Sequence, residues 1–206
     1  IPYERYWDHI ESFYEKPDIN ETRTVRIFTT NYCPFDCLFC SSTNFLNAAG
    51  GSENKKRANV AGLTPEEIMT MLHEILESHP TTRNIFINDD DFVLQAVRVQ
   101  KFCDLVCNAK ETHALPDYLT FMCLSRVDDI EEDTLSKMKA ADFKMIGYGV
   151  ESFSQKMLDD LNKRVKVEQI DKTVRSTIAY GIRPYMNIIL LPPTAKLVDV
   201  FVTIER

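Results

Sequence analysis

Thr24-Val25-Arg26-Ile27-Phe28-Thr29-Thr30 runs without a break into Asn31-Tyr32-Cys33-Pro34-Phe35-Asp36-Cys37-Leu38-Phe39-Cys40. The first part alternates and is rich in β-branched side chains, which predicts a strand. The second part carries cysteines in the spacing C-x3-C-x2-C, with Pro34 and Asp36 marking a loop. A strand that ends in a loop of closely spaced thiols is the first indication of both architecture and chemistry.

Three thiolates are one fewer than a cubic iron–sulfur cluster takes from a protein. The shortfall leaves one iron open to the donor atoms of a small molecule. Other chemistries fit less well. Disulfide frameworks belong to small secreted chains, whereas this chain has 206 residues and is 44% hydrophobic. A zinc site wants two C-x-x-C pairs or nearby histidines, and the first histidine downstream is His73. Buried structural cysteines are the remaining alternative.

Outward from this stretch, strand and helix patterns alternate. Thr64-Pro65-Glu66-Glu67 is a capping box with Pro at the first helical position. Ile68, Met71, Leu72, Ile75 and Leu76 then form one apolar helix face, which Pro80 closes. Further strands are predicted at 84–88, 118–124, 144–150 and 183–191. Helices are predicted at 93–109, with Val93, Ala96 and Val97 inward, around 135–141, at 155–162, 167–180 and 195–206. This order gives an α/β fold of parallel strands with right-handed crossovers and a site at the C-terminal strand ends. Residues 1–22 read as a linker or packing helix, 23–206 as one core domain and 41–62 as a long polar loop.

The net charge of −7 and pI near 5.2 argue against a general nucleic-acid surface. The basic run Lys55-Lys56-Arg57 lies in the polar loop and reads as a solvated tip. No stretch is apolar enough for a membrane span or signal peptide. Free thiols point to a reducing cytoplasm. The chain starts at Ile1 without Met, as an excised domain would.

The cysteine loop resembles that of the radical S-adenosylmethionine (SAM) superfamily, in which an aromatic residue, here Phe39, precedes the last cysteine. The resemblance implies a partial (β/α)6 barrel, which this chain follows up to the fifth strand. It implies a [4Fe-4S] cluster on Cys33, Cys37 and Cys40, with SAM chelated at the open iron. It also implies reductive cleavage of SAM to a 5′-deoxyadenosyl radical, fed by an electron donor such as flavodoxin or ferredoxin.

Other segments resemble the cobalamin-dependent-type (class B) members. Asp89 and Asp90 match two acids of a D-D-x-F form, and Phe92 its aromatic. One of the carboxylates would hold the SAM amino group; capping of the next helix is the competing reading. Ser125 and Arg126 stand where polar residues face the ribose or carboxylate of SAM, against an ion pair of Arg126 with Asp128 or Asp129. Gly147-Tyr148-Gly149-Val150-Glu151-Ser152 matches a G-x-E-S signature, so Glu151 would contact SAM or position Arg126, unless it caps the next helix. Leu161-Asn162-Lys163 also matches, with no role attached. The fifth strand departs from the pattern, ending in Pro192-Pro193, and would support adenine on the backbone near Ile188. Cys103, Cys107 and Cys123 read as buried apolar residues, with an auxiliary cluster as the alternative.

The leading functional expectation is a radical SAM enzyme acting on a small molecule by methyl transfer or rearrangement, with cobalamin held by a domain outside this chain. A methylthiotransferase without cobalamin and a non-catalytic iron–sulfur electron-transfer module are the alternatives.

Overall fold

A computed structural model describes residues 2–31, 33–42, 60–128 and 130–206. The strands are β1 (Thr24–Ile27), β2 (Asn84–Ile87), β3 (Thr120–Arg126), β4 (Phe143–Glu151) and β5 (Arg183–Ile188). They form one five-stranded parallel sheet in sequence order. Each crossover carries a helix: α3 (Pro65–Ser78), α4 (Ala96–Glu111), α5 (Glu132–Ala140) and, after the short α6 (Gln155–Asp160), α7 (Val167–Ala179). Ahead of β1 lie α1 (Tyr3–Glu11) and α2 (Ile19–Thr22), and α8 (Leu197–Ile204) follows β5. This is the expected α/β architecture, a partial barrel that includes the fifth strand.

The apolar core lies between the helices and one face of the sheet. Val25, Ile27, Ile85, Ile87, Phe121, Cys123, Ile146 and Tyr148 all point into it. Successive residues of a strand face opposite sides. The other face therefore presents Thr24, Arg26, Asn84, Phe86, Thr120, Met122, Met145 and Gly147, aligned by the register of the ladders. Cys103 and Cys123 are fully buried in the helix-side core, and burial raises both thiols above their ordinary range.

The capping box of α3 forms as its sequence predicts, with Thr64 accepting from the Glu67 amide and Glu67 from the Thr64 amide. α1 packs on the core through one buried aromatic side chain. Trp7 is buried, stacks on Tyr3 at 5.3 Å between ring centroids, and meets His79 at the end of α3. Arg23 fastens this segment by bonds to Glu11 and Asp8.

Several predicted boundaries shift, each for a tertiary reason. β1 ends at Ile27, not Thr30, because the Thr29 and Thr30 amides leave the ladder to donate to the Asp89 carboxylate. The helix expected from Val93 begins at Ala96, after a 3-10 turn at Phe92–Leu94, and Val97 is 80% exposed rather than inward. β3 ends at Arg126, so Ser125 and Arg126 are strand residues rather than loop residues. β5 stops at Ile188, not Leu191: β4 ends at Glu151, and the Ile189 amide makes the last bond to it, at the Glu151 carbonyl. The polar loop lies largely outside the described residues, and Lys55-Lys56-Arg57 with it.

Asp89 is a structural anchor. It is 1% exposed, and it also accepts from the Thr29 hydroxyl, which Arg98 contacts in turn. Asp89→Asn should turn an amide N–H toward these donors and destabilise the fold by about 1–2 kcal/mol. A urea midpoint equal to that of the parent protein would contradict this role.

Candidate active site

The site builds from the cysteine loop. Residues 33–37 have no regular structure; Cys37 is buried, and Cys33 and Cys40 are half-buried. The Cys40 amide donates to the Cys37 carbonyl at 3.1 Å, which curls the loop. A second segment, just after α6, clamps it. The Leu38 amide donates to the Leu161 carbonyl at 3.0 Å, and Asn162 Nδ2 to the Asp36 carbonyl at 3.0 Å. Arg164 pairs with the Asp36 carboxylate. Asn162 and Arg164 both take left-handed backbone angles, φ 51° and 57°, which bend the clamp around the loop.

Arg126 closes over the loop from the end of β3. Its guanidinium lies 3.7 Å above the Phe35 ring, and Nη1 donates to Cys37 Sγ at 3.3 Å. Nη2 donates to the Lys163 carbonyl at 2.6 Å, and the head pairs with Asp128. The ion pair with Asp128 is thus present alongside the contact with the loop. Asp129 lies outside the described residues.

Lys163 is the residue whose role sequence reasoning missed. It is 4% exposed, its Nζ donates to Glu151 Oε1 at 3.0 Å, and it faces the Phe39 ring at 5.8 Å. Its occurrence in the matched Leu161-Asn162-Lys163 was the available signal. Glu151 ends β4 with φ +69°, a left-handed angle that a non-glycine residue adopts only when its surroundings enforce it. Here the enforcement comes from Lys163 and from the Ile189 amide, which donates to the Glu151 carbonyl at 2.8 Å. Gly149 leaves room for the pair. A Cβ there would stand 2.7 Å from Glu151 Oε1 and 2.9 Å from Lys163 Nζ. The cap of α6 is Ser154, not Glu151.

The acids after β2 divide by position. Asp89 points to Thr29 and Thr30, as described above. Asp90 is exposed beside the cysteine loop. Asp91 is buried, and burial raises its carboxyl above the usual range. Asp91 accepts from the Ser125 hydroxyl at 2.8 Å and the Arg126 amide at 3.2 Å. The Ser125 hydroxyl is therefore spent on the wall of the site. Ile188 is half-buried and packs on the core. Cys33, Cys37, Phe39, Asp90, Arg126, Glu151 and Lys163 thus gather at one end of the sheet.

The donor set fits an iron–sulfur cluster in its chemistry: three thiols on an irregular loop, with a cation already placed against one sulfur. Burial pushes the Cys33 thiol up to about 11, so ligation there must displace a proton. Among the described residues no three His, Cys, Asp or Glu side chains yet meet at metal-holding distance.

A fold of five parallel strands with a three-cysteine loop at their C-terminal ends defines a class of cluster-binding partial barrels. The sequence profile of the Radical SAM superfamily matches residues 27–204, and the chain belongs to that superfamily. It is 25% identical over 179 residues to an uncharacterized methyltransferase of Pyrococcus horikoshii, covering 87% of this chain and 35% of that protein. Among solved structures it resembles the cobalamin-dependent SAM radical enzyme OxsB with aqua-cobalamin and SAM bound, at TM-score 0.71 and 20% identity, covering 90% of this chain and 26% of that one. It also resembles the radical SAM methyltransferase TsrM from Kitasatospora setae, at TM-score 0.71 and 15% identity, covering 92% and 35%. The chain thus spans about a third of the curated relative's length. No helix among the described residues is long and apolar enough to cross a membrane.

Proposed function

We propose that this chain is the catalytic core of a cobalamin-dependent-type radical SAM enzyme that transfers a methyl group to, or rearranges, a small molecule. The observation that carries the reading is the contact between Arg126 and Cys37, which joins the end of β3 to the cysteine loop, together with the Lys163–Glu151 pair beside Phe39. A bare electron-transfer module has no need of a buried ion pair and a strained glutamate next to its thiols. The methyltransferase name of the Pyrococcus relative and the cobalamin-dependent neighbours favour methyl transfer over methylthiolation.

In this reading Cys33, Cys37 and Cys40 hold a [4Fe-4S] cluster, and the loop tightens on it during assembly. The chemistry that cluster and SAM supply when bound is one-electron cleavage of a sulfur–carbon bond. The protein binds and orients. Lys163 Nζ holds the SAM carboxylate, and Glu151 fixes the lysine. Asp90 accepts from the SAM amino group. Arg126 braces the loop through Phe35 and Cys37. Phe39 walls the pocket, and the backbone beyond Ile188 supports adenine. Cobalamin comes from a domain outside this chain, and electrons from a cytoplasmic flavodoxin or ferredoxin.

The test is spectroscopic. Adding SAM to the reduced, reconstituted protein should shift the electron paramagnetic resonance signal of the cluster, because the open iron gains ligands. A titration that leaves the spectrum unchanged would favour the electron-transfer module.

A further inference from the structure

Among the described residues, the sheet face away from the core carries two arginines that neither the cluster nor the proposed SAM contacts use, and of these Arg183 is already paired with Glu21 while Arg26 is not paired. Arg26 projects from β1 on that face. Its guanidinium lies 4.6 Å above the Phe86 ring of β2, and Nη1 donates to Asn88 Oδ1 at 3.3 Å. The remaining N–H groups of its fork have no acceptor, and Arg26 makes no ion pair, among the described residues. Asn88 immediately precedes Asp89, so the arginine lies directly below the end of the sheet where the cysteine loop sits.

The surroundings decide what such a cation is for. A cavity of about 390 Å³ adjoins Arg26 and is lined by Tyr6, Tyr14, Lys16, Asp18 and Glu21 among others. Its two acids are engaged elsewhere: Asp18 accepts from the Asn20 amide, and Glu21 pairs with Arg183 at 3.2 Å. Lys16 makes no ion pair among the described residues. The Glu21–Arg183 contact joins the start of β1 to β5, so α2 crosses beneath the uncovered face and floors it. Above that floor Thr24, Asn84 and Thr120 bond to one another in a row. The acids further along, Asp117 and Asp142, line a separate pocket that Arg26 does not join, and Asp142 is paired with Lys110 and Lys144. The side walls are Met122 and Met145, aligned with Phe86 by the ladders. An arginine pre-oriented by an aromatic ring, with spare N–H groups and with Phe86, Met122 and Met145 in a row beside it, is suited to bidentate binding of a carboxylate or phosphate on an otherwise apolar molecule.

We infer that Arg26, with Asn88, anchors an anionic group of the substrate, so that the small molecule this enzyme acts on carries a carboxylate or phosphate and an apolar body. The inference rests on the radical SAM reading and names the substrate class for it. The anion lies toward the floor, and the apolar body extends up toward the cysteine loop, which sets the reacting atom by distance from the anchor.

The test is calorimetric titration of the anaerobically reconstituted protein, in the presence of SAM, with phenylacetate, phenyl phosphate and neutral phenylacetamide. At least one anion should bind about tenfold or more tightly than the amide, and Arg26→Gln should abolish that preference. Iron content and SAM affinity should remain those of the parent protein. Tighter binding of phenyl phosphate would select a phosphate-bearing substrate, and tighter binding of phenylacetate a carboxylate. The inference is overturned if no probe binds, if anions and amide bind alike, or if the preference survives in Arg26→Gln. A fall in SAM affinity in Arg26→Gln would assign the arginine to SAM and overturn it as well. Failure of the parent protein to hold iron or SAM would overturn both this inference and the enzymatic reading beneath it.

Discussion

Cys37→Ala is expected to reduce the iron of anaerobically reconstituted protein from about four atoms per chain to almost none, the stoichiometry of a cubic cluster held by thiolates. Cys37 is the buried member of the three, and its sulfur is the one that Arg126 touches. Acids at the loop, such as Asp36 and Asp90, are hard oxygen donors and poor replacements for a thiolate on an iron–sulfur cluster. Cys33→Ala and Cys40→Ala should do the same. Cys103→Ala is the control, because that thiol is sealed in the helix-side core. Loss of one small buried side chain there should affect stability alone, by roughly 1 kcal/mol. Full iron loading in Cys37→Ala, with the far-ultraviolet spectrum of the parent protein, would remove the cysteine loop from the cluster site.

Lys163→Met should weaken SAM binding about ten- to hundredfold, corresponding to a lost charge-assisted contact of roughly 1.5–3 kcal/mol. The single substitution also strands the Glu151 carboxylate, which is 7% exposed and held at a strained backbone angle. Breaking a buried pair in this way costs on the order of 3–5 kcal/mol of stability. The two effects separate in the double variant Lys163→Met/Glu151→Leu, which removes both charges together. Its stability should recover toward that of the parent, while SAM affinity should not. Lys163→Arg keeps the charge and should retain most of the binding. Equilibrium dialysis with SAM and urea unfolding on the same preparations read the two quantities independently. A folded Lys163→Met variant with parental SAM affinity would reduce the ion pair to a purely structural element.

Arg126 and Lys163 show where sequence reading reached and where it stopped. Arg126 was legible as a functional position because it sits in a short matched segment at a predicted strand end. Its partners were not, because Phe35, Cys37 and Lys163 are brought to it only by the parallel sheet. Lys163 was visible as part of a matched tripeptide, but nothing local distinguishes a solvated lysine from one buried against a carboxylate. Asp89, Asp90 and Asp91 are chemically identical neighbours. The turn after β2 sends the first to Thr29, leaves the second exposed and buries the third against Ser125.

Local chemistry by itself determined the α/β order, the capping box at Thr64, the cysteine loop and the end of the sheet where a site must lie. Those features depend on neighbours within a few residues or on the handedness common to all parallel crossovers. Tertiary structure alone decided that β1 yields its last amides to Asp89, that Glu151 adopts a left-handed angle against Lys163, and that Arg26 is held over Phe86 with N–H groups to spare. Each of these depends on contacts beyond the reach of local sequence, from the 12 residues between Glu151 and Lys163 to the 60 between Thr29 and Asp89. Their energy is set by burial and by which competing donors and acceptors are already satisfied, and neither exists until the sheet has formed.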